Sequence, residues 1–382
     1  MKVSKTFVVL LFILLFSSIS FAQENIDIKG LQESIKNSVK EEILNDLKKT
    51  LGLSLYLQTS YTYNFENYKS QSNDLRLFDN KSNSFLIDIA QVSLYKEAEK
   101  GTFGYKIKTT MGETAKYIHS AGLGSSTEHF DLTEAYLDYI IDVGRGLKIR
   151  FGKFVTYHGA EVIEAIDNPN FSRSLLFNYA IPFTHTGIAI GYPITEQLNI
   201  NLHIVNGWDN TEDNNKSKTF GLNATYSPSE SFCLTTNLMY GPEKNDNNSD
   251  NRFLIDIVTT FKPSKNLSFI LNGDYGNEKG IDINGKDADW KGVSGIVKYD
   301  FSDIFSLAIR GEYFKDTDGV RTGISQEVKE FTITPELKLK SGLIIRPEYR
   351  HDWSSKKVFN TINGTPTGKS QDTLAISLMY RW

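Results

Sequence analysis

Leu51-Gly52-Leu53-Ser54-Leu55-Tyr56-Leu57-Gln58-Thr59-Ser60-Tyr61-Thr62-Tyr63 decides the fold. Its odd positions are apolar or aromatic apart from Thr59, and its even positions are mostly small or polar. Side chains of an extended strand point alternately to opposite faces, so a period of two writes a strand with one greasy and one wet side. Twenty-seven residues upstream the period is different. Ile28, Leu31, Ile35, Val39, Ile43 and Leu47 recur at three- and four-residue spacing, which predicts an amphipathic helix over 23–50.

The period of two then continues to the end of the chain. It recurs at Phe103-Tyr105-Ile107, at Leu147-Ile149-Phe151, at Leu198-Ile200-Leu202-Ile204, at Phe305-Leu307-Ile309 and at Leu374-Ile376-Leu378-Tyr380-Trp382. With a less regular strand at 84–95, whose apolar phase slips near Ile89, about sixteen strands are expected. Their connectors alternate in length. Short turns (144–146, 193–197, 227–230, 262–266, 302–303, 341–342) alternate with long polar loops at 66–82, 112–129, 156–183, 207–218, 241–251, 276–289, 315–328 and 353–370. Short turns on one rim and long loops on the other are the build of a transmembrane antiparallel β-barrel, an all-β fold whose hydropathy averages out as hydrophilic. A soluble β-sandwich has no reason to segregate its connectors in this way.

Aromatic placement agrees. On the outward register Tyr240, Tyr275, Tyr313 and Tyr349 fall at long-loop ends, and Tyr192, Tyr226, Phe261, Phe301 and Trp382 at short-turn ends. Two belts fit two membrane interfaces. Pro335 and Pro347 interrupt predicted strands, where each removes a ladder donor, and are expected to mark bulges.

Composition excludes other classes. The chain has 382 residues, 24 Phe, 19 Tyr and only 9 Pro, where about 5% Pro is usual. A formal charge of −4 with no strongly basic segment argues against nucleic-acid binding. One cysteine, Cys233, excludes a disulfide framework or a Cys-rich metal site. A mean hydropathy of −0.33 excludes a polytopic helical membrane protein.

Residues 1–22 read as a secretory signal peptide: Lys2 and Lys5, an apolar run from Thr6 to Phe16, then Ser20-Phe21-Ala22 before the cut. Eleven apolar residues are too few for a membrane anchor. The helix at 23–50, rich in Glu and Lys, is placed on the periplasmic side as a stub, a short oligomeric coiled coil or a plug. Residues 51–382 form the barrel. Its last strand ends on Trp382, which resembles the C-terminal signal that outer-membrane barrels present to their insertion machinery.

Further motifs carry a family resemblance. Gly152-Lys153-Phe154-Val155, Gly159-Ala160-Glu161-Val162-Ile163-Glu164, Asn168-Pro169-Asn170-Phe171-Ser172-Arg173-Ser174, Ile181-Pro182-Phe183-Thr184-His185-Thr186-Gly187 and Asn206-Gly207-Trp208-Asp209-Asn210 are long and specific. With Asp213-Asn214-Asn215-Lys216 they resemble the OmpL-like β-barrel porin family. The resemblance implies a channel in the outer membrane of a Gram-negative bacterium, surrounded by lipid and passing small hydrophilic solutes. Porins of this size are often homotrimers, although no interface is legible here. Tyr157-His158 and the helix find no counterpart in it.

The loop 156–183 is unusually apolar and too long to lack a packing surface. It is expected to fold inward and narrow the lumen, as the third loop of general porins does. Glu161, Glu164, Asp167 and Arg173 are then the loop charges nearest a solute, or else are tied into hydrogen bonds that stabilise the loop, with Asp167 and Arg173 as the structural pair. The facing wall is expected to present Lys148, Arg150, Arg310, Glu312, Arg346, Glu348 and Arg350, together with Lys338, Arg381, Glu134, Asp138 and Glu336. Neighbouring strands lie about 4.8 Å apart, so Arg310, Arg346, Arg350, Glu312 and Glu348 can form a mixed cluster. Such rings select solutes, or else stiffen the wall.

Other chemistry is weakly signalled. Asp209, Glu212 and Asp213 with Asn210, Asn214 and Asn215 match no EF-hand spacing and read as a solvated loop. His158 and His185 with Ser172 or Ser174 lack any nucleophile elbow or HExxH motif, so a hydrolase is the remote enzymatic alternative. No cofactor or metal is implied. The expected function is a passive diffusion porin. The alternatives are a channel selective for oligosaccharides or anions, and an occluded structural barrel or adhesin.

Overall fold

The computed structural model describes residues 28–66, 71–125, 128–282, 284–361 and 365–382. The signal-peptide reading of 1–22 lies outside them, as do residues 23–27 of the expected helix. Two compact units are present, one ending at Thr50 and the other spanning Leu51–Trp382. A 24-residue helix, Ile28–Leu51, makes up the described part of the first and runs one residue past its boundary, with Ile43 exposed.

The second unit is a closed antiparallel barrel of sixteen strands. They are β1 (Ser54–Asn64), β2 (Ser84–Lys96), β3 (Phe103–Met111), β4 (Phe130–Ile141), β5 (Leu147–Val155), β6 (Thr184–Pro193), β7 (Leu198–Val205) and β8 (Thr219–Ser229). These are followed by β9 (Phe232–Pro242), β10 (Asn251–Ser264), β11 (Leu267–Glu278), β12 (Ala288–Asp300), β13 (Phe305–Asp316), β14 (Gln326–Lys338) and β15 (Ile344–Ser354). A two-stranded ribbon, β16 (Phe359–Asn360) with β17 (Pro366–Gly368), decorates the last long loop, and β18 (Ser370–Arg381) closes the barrel against β1. Closure leaves no sheet edge, which satisfies every strand within a lipid phase. The closing ladder runs to the final residue, where the Trp382 and Leu55 backbones exchange hydrogen bonds of 2.9 and 3.0 Å.

Seven turns of two to six residues occupy one rim and eight loops of 8–28 residues the other. Several long loops are shorter than the sequence predicts because strands run two or three residues further, as β11 does to Glu278. The outward register is mostly apolar, with Phe85, Phe103, Phe151, Leu202, Phe220 and Leu374 all exposed, and the cations Lys291 and Lys329 stand at its long-loop ends. Tyr226, Phe261 and Phe301 are exposed at the short-turn rim, and Tyr240, Tyr275 and Tyr349 at the other.

The phase slip near Ile89 is a β-bulge. Gln58 pairs with Ile89 and Thr59 with Ile87, which leaves Asp88 as the extra residue. The two prolines are not bulges. Ile333 pairs with Tyr349 and Leu337 with Ile345, so the register is unbroken and Pro335 stands opposite Pro347. Each still pairs on its other side, with Leu307 and Ile376 respectively. Facing each other, the prolines merge two missing donors into one gap in one ladder.

The interior differs along the barrel axis. Near the long-loop rim the inward faces of β9, β10, β12, β13 and β14 carry Met239, Leu254, Trp290, Phe314 and Val328. These join Phe78, Ile118 and Trp208 of other loops and Leu175, Leu176, Phe177, Ile181 and Phe183 of loop 156–183 in one buried apolar cluster. Toward the short-turn rim the inward faces are ionic and amide-rich.

Candidate pore and its constriction

A 28-residue loop inside a barrel carries many backbone donors and acceptors that no ladder serves, and each must find a partner. The β13–β15 wall supplies them. Glu348 accepts the Phe171 and Ser172 N–H groups at 2.7 and 3.0 Å, and Glu312 those of Leu175 and Leu176 at 2.6 and 2.7 Å. Guanidiniums take the carbonyls: Arg310 donates to Ser172 O at 2.7 Å, Arg350 to Arg173 O at 2.6 Å and Arg346 to Ala165 O at 2.6 Å. From β10 and β11, Asp256 and Asn272 accept the Gly159 and Ala160 N–H groups at 3.0 and 3.1 Å. Loop 156–183 thus runs from the β5–β6 side across to the opposite wall.

The expected arginine cluster is present, but its links differ. Glu330, on β14 between the two arginine-bearing strands, bonds Arg310 at 2.8 Å and lies 3.5 Å from Arg350. Arg350 also bonds Asp352 at 2.8 Å, and Arg346 bonds Glu336 at 2.7 Å. Glu161 of the loop joins through Arg310 at 2.7 Å. The side chains of Arg310 and Arg350 are 0% and 1% exposed, so this wall is dry beneath the loop. Glu330 and Asp352 were missed in the sequence, although both lie in the same alternating phase as Thr332 and Arg350.

The Asp167–Arg173 pairing is corrected. Arg173 is buried and folds back on the loop, donating to the carbonyls of Val162, Ile163 and Phe171. Asp167 instead makes a bidentate contact with Arg381 on β18 at 2.6 and 2.7 Å. A guanidinium has five donors, and a carbonyl-rich turn satisfies more of them than a single carboxylate would.

The opposite side of the loop is open. A cavity of about 620 Å³ lies between it and the β1–β5 wall, and Glu161, Glu164 and Asp167 line it facing Lys106, Lys108 and Arg381. Glu164 bonds Lys108 and Gln91 at 2.9 and 2.8 Å. Two further cavities lie toward the short-turn rim. One of about 410 Å³ includes Arg346, Lys298 and Lys338 in its lining, and one of about 340 Å³ includes Lys148 and Arg150. On β3–β5 the alternation is cation, acid, cation: Lys106 and Lys108 bond Glu134 at 2.8 Å, and Lys148 and Arg150 bond Asp138 at 2.8 Å. Lys148 stays 37% exposed and Arg150 24%.

The remaining expectations find structural roles. Asp209 accepts the Phe183 and Thr184 N–H groups at 2.9 and 2.7 Å, and burial raises its carboxyl above the usual range. Asp213 bonds Lys218 and the Asn215 N–H. Among the described residues no group of three or more His, Cys, Asp or Glu side chains could hold a metal ion. Ser172 Oγ accepts from Arg310 and Arg350, and Ser174 Oγ from the Phe177 N–H. His158 and His185 meet at Thr156 Oγ1, at 3.3 and 3.1 Å.

Solved structures share this architecture. An anion-selective porin from Comamonas acidovorans matches with a TM-score of 0.60 at 9% identity, covering 86% of this chain and 98% of its own. The outer membrane channel DcaP of Acinetobacter baumannii matches at 0.59 with 10% identity, over 86% and 96%. A trimer form of OmpT, an outer membrane protein of Vibrio cholerae, matches at 0.58 with 12% identity, over 86% and 98%. At such identities the likeness concerns the fold. No curated protein is detectably similar in sequence. Residues 50–382 match the family described as "Putative beta-barrel porin-2, OmpL-like", so this outer-membrane barrel belongs to that porin family.

Proposed function

We propose that the barrel is a narrow passive diffusion channel for small hydrophilic solutes, and that loop 156–183 is its constriction. The observation that carries this reading is the tethering of the loop backbone to the far wall, through Glu312, Glu348, Arg310 and Arg350. It leaves Glu164 and Asp167 beside the roughly 620 Å³ of open lumen as the loop charges that meet a solute, while Glu161 turns to Arg310 and the Ser174 N–H. Lys148 and Arg150 meet it on the wall, whereas Arg310, Glu312, Glu348 and Arg350 act by holding the loop. Apolar packing near the long-loop rim favours a small conductance, since it excludes water from much of the cross-section.

The protein reaches the outer membrane after cleavage of residues 1–22, with the helix left on the periplasmic side. Its insertion machinery reads the strand ending at Trp382, and three copies assemble as in the trimeric neighbour. Planar bilayers test the constriction directly. Deleting 160–176 is expected to enlarge the single-channel step in protein that still shows a heat-modifiable band on a denaturing gel. An unchanged step in such folded protein removes the assignment.

A further inference from the structure

The cavity of about 340 Å³ on β5–β8 has features that a solute-filled lumen alone does not require. Lys148 and Arg150 of β5 form one side, Asn199, Asn201 and His203 of β7 and Asn223 of β8 the other. Both cations share a single acid, Asp138, so the niche keeps a net positive charge. Asn201 donates to Asn223 Oδ1 at 2.8 Å, which fixes both amides in the lumen plane.

His203 is the informative residue. It is 6% exposed, yet neither ring nitrogen has a partner. The Tyr157 hydroxyl is likewise without a partner. The Tyr157 ring stacks on the imidazole with centroids 3.8 Å apart and planes at 13°, so the imidazole is held flat. Glycines make the room: a Cβ on Gly221 would stand 1.7 Å from the Tyr157 hydroxyl, and one on Gly191 2.2 Å from Asn201 Oδ1. A buried polar group without a partner costs free energy that a ligand hydroxyl can recover.

We infer that this niche is a binding subsite for small carboxylates that also carry hydroxyl groups, the class of sugar acids. Lys148 and Arg150 take the carboxylate, while His203, Tyr157 and the Asn199 and Asn201 amides take the hydroxyls. The volume suits one such molecule, being at the small end of ligand pockets. A plain anion would use only the cations, and a neutral sugar only the amides and imidazole. The subsite rests on the pore reading for access alone.

Titration calorimetry on the detergent-purified protein, with sodium gluconate at neutral pH and low salt, tests it. Gluconate is expected to bind saturably, one per chain, with acetate and glucose each at least about tenfold weaker, because each lacks one set of contacts. Lys148→Gln weakens gluconate by about tenfold or more, and half-exposed Lys148 can be removed without unfolding the barrel. His203→Phe keeps the stack on Tyr157; it weakens gluconate and leaves acetate unchanged. Absence of saturable gluconate binding overturns the subsite, as does unaltered affinity in a folded Lys148→Gln variant. Equal affinity for gluconate and acetate overturns the hydroxyl contacts. Conductance in potassium chloride is recorded on the same protein. Conductance without binding sinks the subsite alone, and binding without conductance sinks the channel reading alone.

Discussion

The β3–β5 and β13–β15 walls carry the same alternation of cation and acid, yet one is wet and the other sealed. On the wet wall Lys106, Lys108, Lys148 and Arg150 share Glu134 and Asp138 beside open lumen. On the sealed wall Arg310, Arg346 and Arg350 bond carboxylates and loop carbonyls at once. The residue types follow the task. A guanidinium offers five donors in a rigid fork and is weakly hydrated, so it can leave water and serve several acceptors. An ammonium is strongly hydrated, and three of the four β3–β5 cations that line the cavities are lysines, Lys153 being buried against Asp131 instead. Arginine-rich inward positions thus mark where a loop lies down, and lysine-rich ones mark where water remains.

The largest expected effect breaks the sealed side. Arg310→Met strips Glu161, Glu330 and the Ser172 carbonyl of their shared guanidinium in a dry place, leaving Arg350 as the one cation near Glu330 among the described residues, at a cost of about 3–5 kcal/mol. The temperature at which the folded band converts on a gel should fall sharply. Lys106→Gln on the wet wall leaves Glu134 bonded to Lys108 and should cost about 1 kcal/mol or less. Equal losses in the two variants would erase the distinction.

A similar contrast recurs in the external loop 243–250. Burial pushes the Glu243 carboxyl up to about 7, although it accepts the Trp208 N–H at 2.8 Å and the Thr219 hydroxyl at 2.7 Å. Asp250, half-buried and bonded to Lys244 and Asn247, is held below its ordinary value by those bonds. The signs are opposite. Folded Glu243 keeps a proton that the unfolded chain has released, so its contribution is full below about 4.5 and is lost as pH rises to about 7. That loss is up to about 3 kcal/mol. Glu243→Gln should therefore flatten the fall in thermal stability between about pH 5 and about pH 8. An unchanged slope would place the carboxyl in water.

Strand positions were legible because a period of two survives any tertiary context, and even the Asp88 bulge left its trace as a slip near Ile89. Pro335 and Pro347 were misread because their compatibility depends on standing opposite each other, which is a property of a pair and not of either strand. The Asp167–Arg173 pairing failed for a related reason: nearness in sequence stood in for contact, while Asp167 meets Arg381 across 214 positions. The apolar packing near the long-loop rim did have a signal. Met239-Tyr240, Leu254-Ile255 and Tyr313-Phe314 place apolar residues on both faces at strand ends, which a water-filled bore does not need. Which inward charges would be sealed was not legible, because that depends on where loop 156–183 comes to rest.

The smallest expected effect on stability concerns that resting place. Asp167 and Arg381 are 45% and 38% exposed, and they tie the loop to β18 on its wet side. An exposed pair of this kind contributes about 0–1 kcal/mol, so Arg381→Gln should leave the conversion temperature of the folded band almost unchanged. Its effect belongs to the current. The sealed contacts hold the loop on one side, while this pair restrains the edge that borders the open cavity. Releasing it should broaden the fluctuations of the open-channel current in planar bilayers. If current noise and conversion temperature both match wild type, the sealed wall alone fixes the loop and the wet side only borders it.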